Sequence, residues 1–106
     1  MKTNGKANGI PGIEETLAAE FCLLAQRHHL QKVILFGSRA RGDYGRASDI
    51  DLAVCGAPDD VAAFALDVEE ETSTLLRFDV VGVSERTDPR LLAEIRRDGV
   101  VLYEKI

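Results

Sequence analysis

Ile13, Leu17, Phe21 and Leu24 recur at spacings of four, four and three, while Glu14, Glu15, Glu20, Gln26 and Arg27 fall on the other faces. This is the 3.6-residue period of an amphipathic helix and predicts one from Ile13 to about His29. The period then changes. Lys32 to Phe36 is a Val-Ile-Leu-Phe run, too short for a helix and rich in strand formers, so it reads as a buried strand ending at Gly37-Ser38. Residues 39–48 hold two glycines and no sustained period, which suggests a turn or short helical start followed by a loop. From Asp49 to Cys55 the pattern alternates, with Ile50, Leu52 and Val54 on one face and Asp49, Asp51 and Ala53 on the other.

Gly56-Ala57-Pro58 breaks that strand, Asp59 or Asp60 can cap a new helix, and Val61, Phe64, Ala65, Val68, Thr72 and Leu75 mark its apolar stripe. A strand over Phe78 to Val83 comes next. Thr87-Asp88-Pro89 opens a further helix with a capping residue and a proline at its first position, and Gly99 ends it. Val100 to Tyr103 is a last short strand. The order α-β-β-α-β-α-β predicts an α+β fold of two layers, a small mixed sheet with helices packed on one face.

Composition narrows the function. With 106 residues, 45% of them hydrophobic, the chain has the size of one domain, read here as residues 13–106 behind a polar, Gly- and Asn-rich tail over 1–12. A domain this small is compatible with a homo-oligomer or another partner covering part of its surface. The formal charge of −5 argues against an extended nucleic-acid surface, which would need clustered Lys and Arg. Cys22 and Cys55 have no metal-type spacing and read as reduced, and no stretch resembles a signal core or membrane span, so the expectation is a soluble cytoplasmic protein.

Asp49 and Asp51 are the most informative pair. Residues two apart on a strand project from one face with Cα atoms about 6.5–7 Å apart, so their carboxylates can converge on one cation. Two like charges at that distance oppose each other's ionisation, and a divalent ion compensates both; oxygen donors suit magnesium or manganese. Asp79 lies in an otherwise apolar strand, and pairing beside 49–55 would bring it into the same cluster. Three carboxylates could hold two ions about 3.5–4 Å apart, an arrangement that serves phosphoryl or nucleotidyl transfer. Gly37-Ser38 supplies the complement: glycine admits phosphate oxygens close to the backbone, whose N–H groups and the Ser38 hydroxyl can donate. Arg39, Arg41 and Arg46 make the following loop cationic.

Each feature alone has a plain alternative. Asp-x-Asp occurs on solvent-facing strands, Arg39, Arg41 and Arg46 could pair with Asp43, Tyr44 could stack on a base or simply pack, and the Glu69–Glu71 run reads as a solvated helix face. His28 and His29 sit at a helix end and receive no catalytic role. The combination in chain order is what carries the reading.

Leu35-Phe36-Gly37-Ser38-Arg39-Ala40-Arg41-Gly42, ten residues between Ser38 and Asp49, and Ser48-Asp49-Ile50-Asp51-Leu52 together resemble the signature of the polymerase-beta-like nucleotidyltransferase superfamily. The ending Arg97-Asp98-Gly99-Val100-Val101-Leu102-Tyr103-Glu104 is similar to that of its minimal (MNT) members, including MntA-type antitoxins of HEPN/MNT pairs. The resemblance implies that Asp49, Asp51 and Asp79 bind two Mg2+ ions, with Mn2+ as a substitute. It further implies that Gly37 and Ser38 hold the β- and γ-phosphates of an NTP, commonly ATP, and that Arg39 and Arg41 add phosphate contacts. It implies AMP transfer to a hydroxyl of a small helical HEPN-type toxin, with this chain as antitoxin. The alternatives are a non-catalytic module that neutralises its partner by docking, or transfer to RNA or a small molecule.

Overall fold

The computed structural model describes residues 12–106; the expected N-terminal tail lies outside the described residues except for Gly12, which is buried. The elements are α1 (Glu15–Arg27), β1 (Lys32–Phe36), α2 (Ser38–Arg41), β2 (Ile50–Cys55), α3 (Pro58–Glu71), β3 (Phe78–Gly82), α4 (Pro89–Asp98) and β4 (Val100–Glu104). Each expected helix and strand is present, and the short helical start after Gly37 is realised as the single turn α2.

The sheet order is β3-β2-β1-β4. β1 runs antiparallel to both β2 and β4, whereas β2 and β3 are parallel, so the sheet is mixed as expected. β1 is interior, which explains its unbroken apolar sequence. Its Val33 and Leu35 join Leu52, Val54 and Leu102 beneath Leu17, Phe21 and Leu24 of α1 and Phe64 and Val68 of α3. Phe21, Phe64, Leu35 and Leu52 are each fully buried; removing such a side chain from water contributes about 1.5–3 kcal/mol apiece.

One expectation needs correction: the helices do not all lie on one face. Ile95 and Leu91 of α4 pack with Phe36, Ala53, Ile34, Val81 and Val83, the residues that alternate away from α1 and α3. Crossover handedness supplies the reason. β2, β3 and β4 are mutually parallel, but the chain moves one way across the sheet from β2 to β3 and the other way from β3 to β4. Both crossovers can be right-handed only if α3 and α4 sit on opposite faces.

The two helices of the first face are also tied by polar contacts. Arg27 NH1 lies 2.8 Å from Glu71 Oε1 and His28 Nε2 lies 2.6 Å from Asp67 Oδ2. Glu69 and Glu70 remain exposed, so only the last residue of that acidic run has a partner on α1. The hydrogen bond with His28, followed by its charge and that of Arg27, holds Asp67 below the usual aspartate range. Arg97 does the same for Asp98. A carboxylate depressed in the folded state adds stability above its unfolded pKa and loses it as pH falls through the folded one. Thermal stability should therefore drop as pH falls below about 4, and an Asp67→Asn, Asp98→Asn variant should show a shallower drop. Circular dichroism melts between neutral and strongly acidic pH check this; parallel curves would remove both groups from the acid response.

Candidate active site

β1 delivers the chain to the site. Phe36, its last residue, stands opposite Asp51 in the antiparallel register, and Gly37 follows at φ 76° and ψ −158°, a backbone region open to glycine alone. A Cβ built on Gly37 would lie 2.2 Å from Asp51 Oδ2. The missing side chain is what lets the bend close onto the carboxylate. Ser38 then starts α2, whose leading N–H groups have no partners within the helix, while Arg41 N and Ala40 N bond to the Gly37 carbonyl.

β2 and β3 supply the acids. Asp51 and Asp79 are direct partners in the parallel register, so they project from the same face of neighbouring strands. Asp49 lies one residue before β2, which begins at Ile50 rather than at Asp49 as the alternation suggested, and it is exposed. Burial raises the Asp51 pKa first, then the charges of Asp79, Asp49 and Glu94 raise it further, with Arg41 opposing them. Three neighbouring carboxylates thus act on Asp51. Among the described residues no three His, Cys, Asp or Glu side chains already stand close enough to hold a metal ion.

The arginines separate. Arg41 joins the acidic face, within 3.3 Å of Asp43, 3.8 Å of Glu94 and 3.6 Å of Asp98. Arg39 turns the other way and is 8% exposed. Its Nε donates to Ser48 O at 3.0 Å, NH1 to Gly12 O at 2.9 Å and NH2 to Arg46 O at 3.2 Å, and its guanidinium lies over the Tyr44 ring at 5.0 Å. In place of the expected phosphate contact, the Arg39 fork here is occupied by backbone carbonyls. Tyr44 is correspondingly a packed residue.

Glu94 was not singled out from the sequence. Its signal was present, since Leu91, Glu94 and Asp98 recur at helical spacing on one side of α4, but which sheet face α4 covers was needed to interpret it. Two hollows, of about 630 Å³ between α1, the 43–48 loop and the 73–76 loop, and about 510 Å³ beside Phe78, are lined by none of Gly37, Asp49, Asp51 and Asp79. No helix of the described residues is long and apolar enough to cross a membrane. Cys22 and Cys55 are free thiols; burial raises the Cys22 pKa, and its Sγ contacts Leu102 O at 3.2 Å.

The sequence profile of the polymerase beta nucleotidyltransferase family matches residues 22–106, which include the bend and all three aspartates. The chain belongs to that family. A Methanocaldococcus jannaschii protein, MJ0604, named for protein adenylyltransferase activity, is 44% identical over 55 residues, covering 52% of this chain and 51% of its own. The chain thus spans about half the length of that curated relative. A solved structure described as a minimal nucleotidyltransferase is 33% identical with a TM-score of 0.60, covering 78% of this chain and 86% of its own. The MNT antitoxin structure from Shewanella oneidensis, in complex with a tri-AMPylated HEPN toxin, is 21% identical with a TM-score of 0.57, covering 84% of this chain and 71% of its own, and shares the fold.

Proposed function

We propose that this family member transfers AMP from ATP to a hydroxyl of a partner protein, a small helical HEPN-type toxin, and thereby acts as its antitoxin. One observation carries the reading: Asp51 and Asp79 stand side by side on parallel strands, and Asp51 lies directly against the Cβ-less Gly37. Gly37 and Ser38 would receive the β- and γ-phosphates, and Arg41 is a cation whose charge acts on Asp51. Asp49, Asp51 and Asp79 would hold two divalent cations, Mg2+ or Mn2+. The fit is chemical, because every donor is a carboxylate oxygen, and the burial and then the like-charge crowding that raise Asp51 are what a divalent cation would offset. Bound there, the ions would offset the charge of the triphosphate and of the departing pyrophosphate.

The transfer balances simply. The acceptor oxygen forms a bond to the α-phosphorus, the bond from that phosphorus to the bridging oxygen breaks, and pyrophosphate leaves with the electron pair. Asp79, exposed on the edge strand, would take the hydroxyl proton. Asp49 and Asp79 are exposed, so an acceptor displayed by another macromolecule can reach them.

The second reading is a docking module that silences its partner without chemistry. It is favoured by one observation, that no three carboxylates among the described residues already form a cage. Incubating the chain with labelled ATP, Mg2+ and a small helical HEPN-type protein should add the mass of AMP to that protein. Nucleotide binding should also be lost in excess chelator. Neutralisation that persists with no added mass, and equally after Asp49→Asn with Asp51→Asn, would establish docking instead.

A further inference from the structure

Arg39 lies next to Ser38 in the chain yet is the least exposed charged residue of the described chain. Its three carbonyl partners come from places far apart in sequence: Gly12 at the entry to α1, and Arg46 and Ser48 at the far end of the loop between α2 and β2. Ser48 is the residue before Asp49. The turn around it is closed on itself as well, Ser48 N bonding to Gly45 O at 3.2 Å and Ser48 Oγ accepting from Gly45 N at 2.8 Å. On the other side of Asp49, Ile50 N bonds to Arg77 O at 2.9 Å, at the start of β3. Asp49 is therefore held between two backbone anchors, one set by Arg39 and one by the strand that carries Asp79.

Gly12 completes the arrangement from below. A Cβ there would lie 2.1 Å from the Arg39 carbonyl oxygen, so the backbones meet only because residue 12 is glycine. The guanidinium is a planar fork, and a lysine, with one ammonium, could not bridge three carbonyls in one geometry.

We propose that Arg39 is a positioning residue for the reaction: it fixes the exposed Asp49 carboxylate relative to the Gly37–Ser38 bend and Asp51. This rests on the reading of Asp49 as a metal ligand. Arg39 acts at one remove, like the supporting groups behind metal ligands, whose loss lowers metal affinity or activity about 10–100-fold. A residue that merely stabilised the fold would lower the active fraction and leave the metal affinity of the folded protein unchanged.

The test uses the full chain and its Arg39→Met, Arg39→Lys and Gly12→Ala variants. Mn2+ affinity is measured without nucleotide, trypsin cleavage after Arg46 reports the loop, and transfer kinetics are recorded at limiting and saturating Mn2+. In Arg39→Met the Mn2+ dissociation constant should rise about 10–100-fold, cleavage after Arg46 should accelerate, and KM for ATP should return to the parental value at saturating metal. Arg39→Lys should not rescue the affinity. Gly12→Ala, which keeps the guanidinium but forces its carbonyl partner away, should move Mn2+ affinity in the same direction by less, and decides the matter if Arg39→Met does not fold. Unchanged Mn2+ affinity with KM raised at saturating metal would return Arg39 to phosphate binding and overturn the proposal, as would a lower melting temperature with unchanged Mn2+ affinity. A parent protein that binds no Mn2+ would instead overturn the metal reading of Asp49, a separate failure visible before any variant is made.

Discussion

Asp51→Asn will raise the melting temperature of the metal-free protein and sharply lower transfer. Asparagine keeps the shape of the side chain but removes a charge that burial and the carboxylates of Asp79, Asp49 and Glu94 all disfavour. Its folded-state pKa is raised, so ionisation above that pKa costs the folded protein stability, and the cost vanishes as pH falls below the ordinary aspartate range of about 4. In chelator at neutral pH solvent screening of the partly buried group keeps the gain at the lower end of charge-relieving substitutions, about 0.5–1 kcal/mol. For a domain of this size about 1 kcal/mol corresponds to about 4–8 °C. The gap between variant and parent should close in acid. Transfer should fall by at least about 10²–10³-fold, the scale on which loss of one electrostatic contact to the transition state is felt. Paired calorimetric melts and labelled-ATP assays measure both effects. A variant that melts no higher than the parent in chelator would mean that the like charges do not crowd Asp51.

Gly37→Ala will damage both properties at once. The alanine must adopt φ 76° and ψ −158°, and its Cβ would fall 2.2 Å from Asp51 Oδ2. The backbone alone costs about 1–3 kcal/mol, and either the bend or the carboxylate must move. A displacement of about 1 Å between reacting groups can cost about 10²-fold in rate. Gly42→Ala provides the control, because Gly42 also has positive φ, at 96°, but a Cβ there meets nothing within 4 Å. It should lose stability while its transfer rate stays near the parent's. Equal activity of the two variants would show that the approach of Gly37 to Asp51 has no bearing on catalysis.

Much of this geometry was readable in the residues. The alternation of Ile50, Leu52 and Val54 against Asp49, Asp51 and Ala53 already separated a buried face from a chemical one, because strand side chains alternate with period two. Asp79 was conspicuous as a charge within an apolar strand. The direction of Arg39 is not legible from its place in the chain: nearness to Ser38 suggests phosphate contact, whereas a four-residue helical turn points successive side chains in different directions. Ser38 opens that turn, and the guanidinium of Arg39 finds carbonyls on the opposite side. Glu94 and Asp98 were invisible as neighbours of the site, since nothing in the period of α4 states which face of the sheet it covers.

By itself, then, the chain's pattern determined the helices, the strands, their order and the residue types able to grip a triphosphate, because these arise from local periodicity and spacing. Only the tertiary structure decided that β3 lies parallel beside β2 with residue 79 in register with 51, and that α4 crosses the acidic face. Register and handedness come from strand pairing between distant segments, and a one-residue slip would have sent Asp79 to the other side of the sheet.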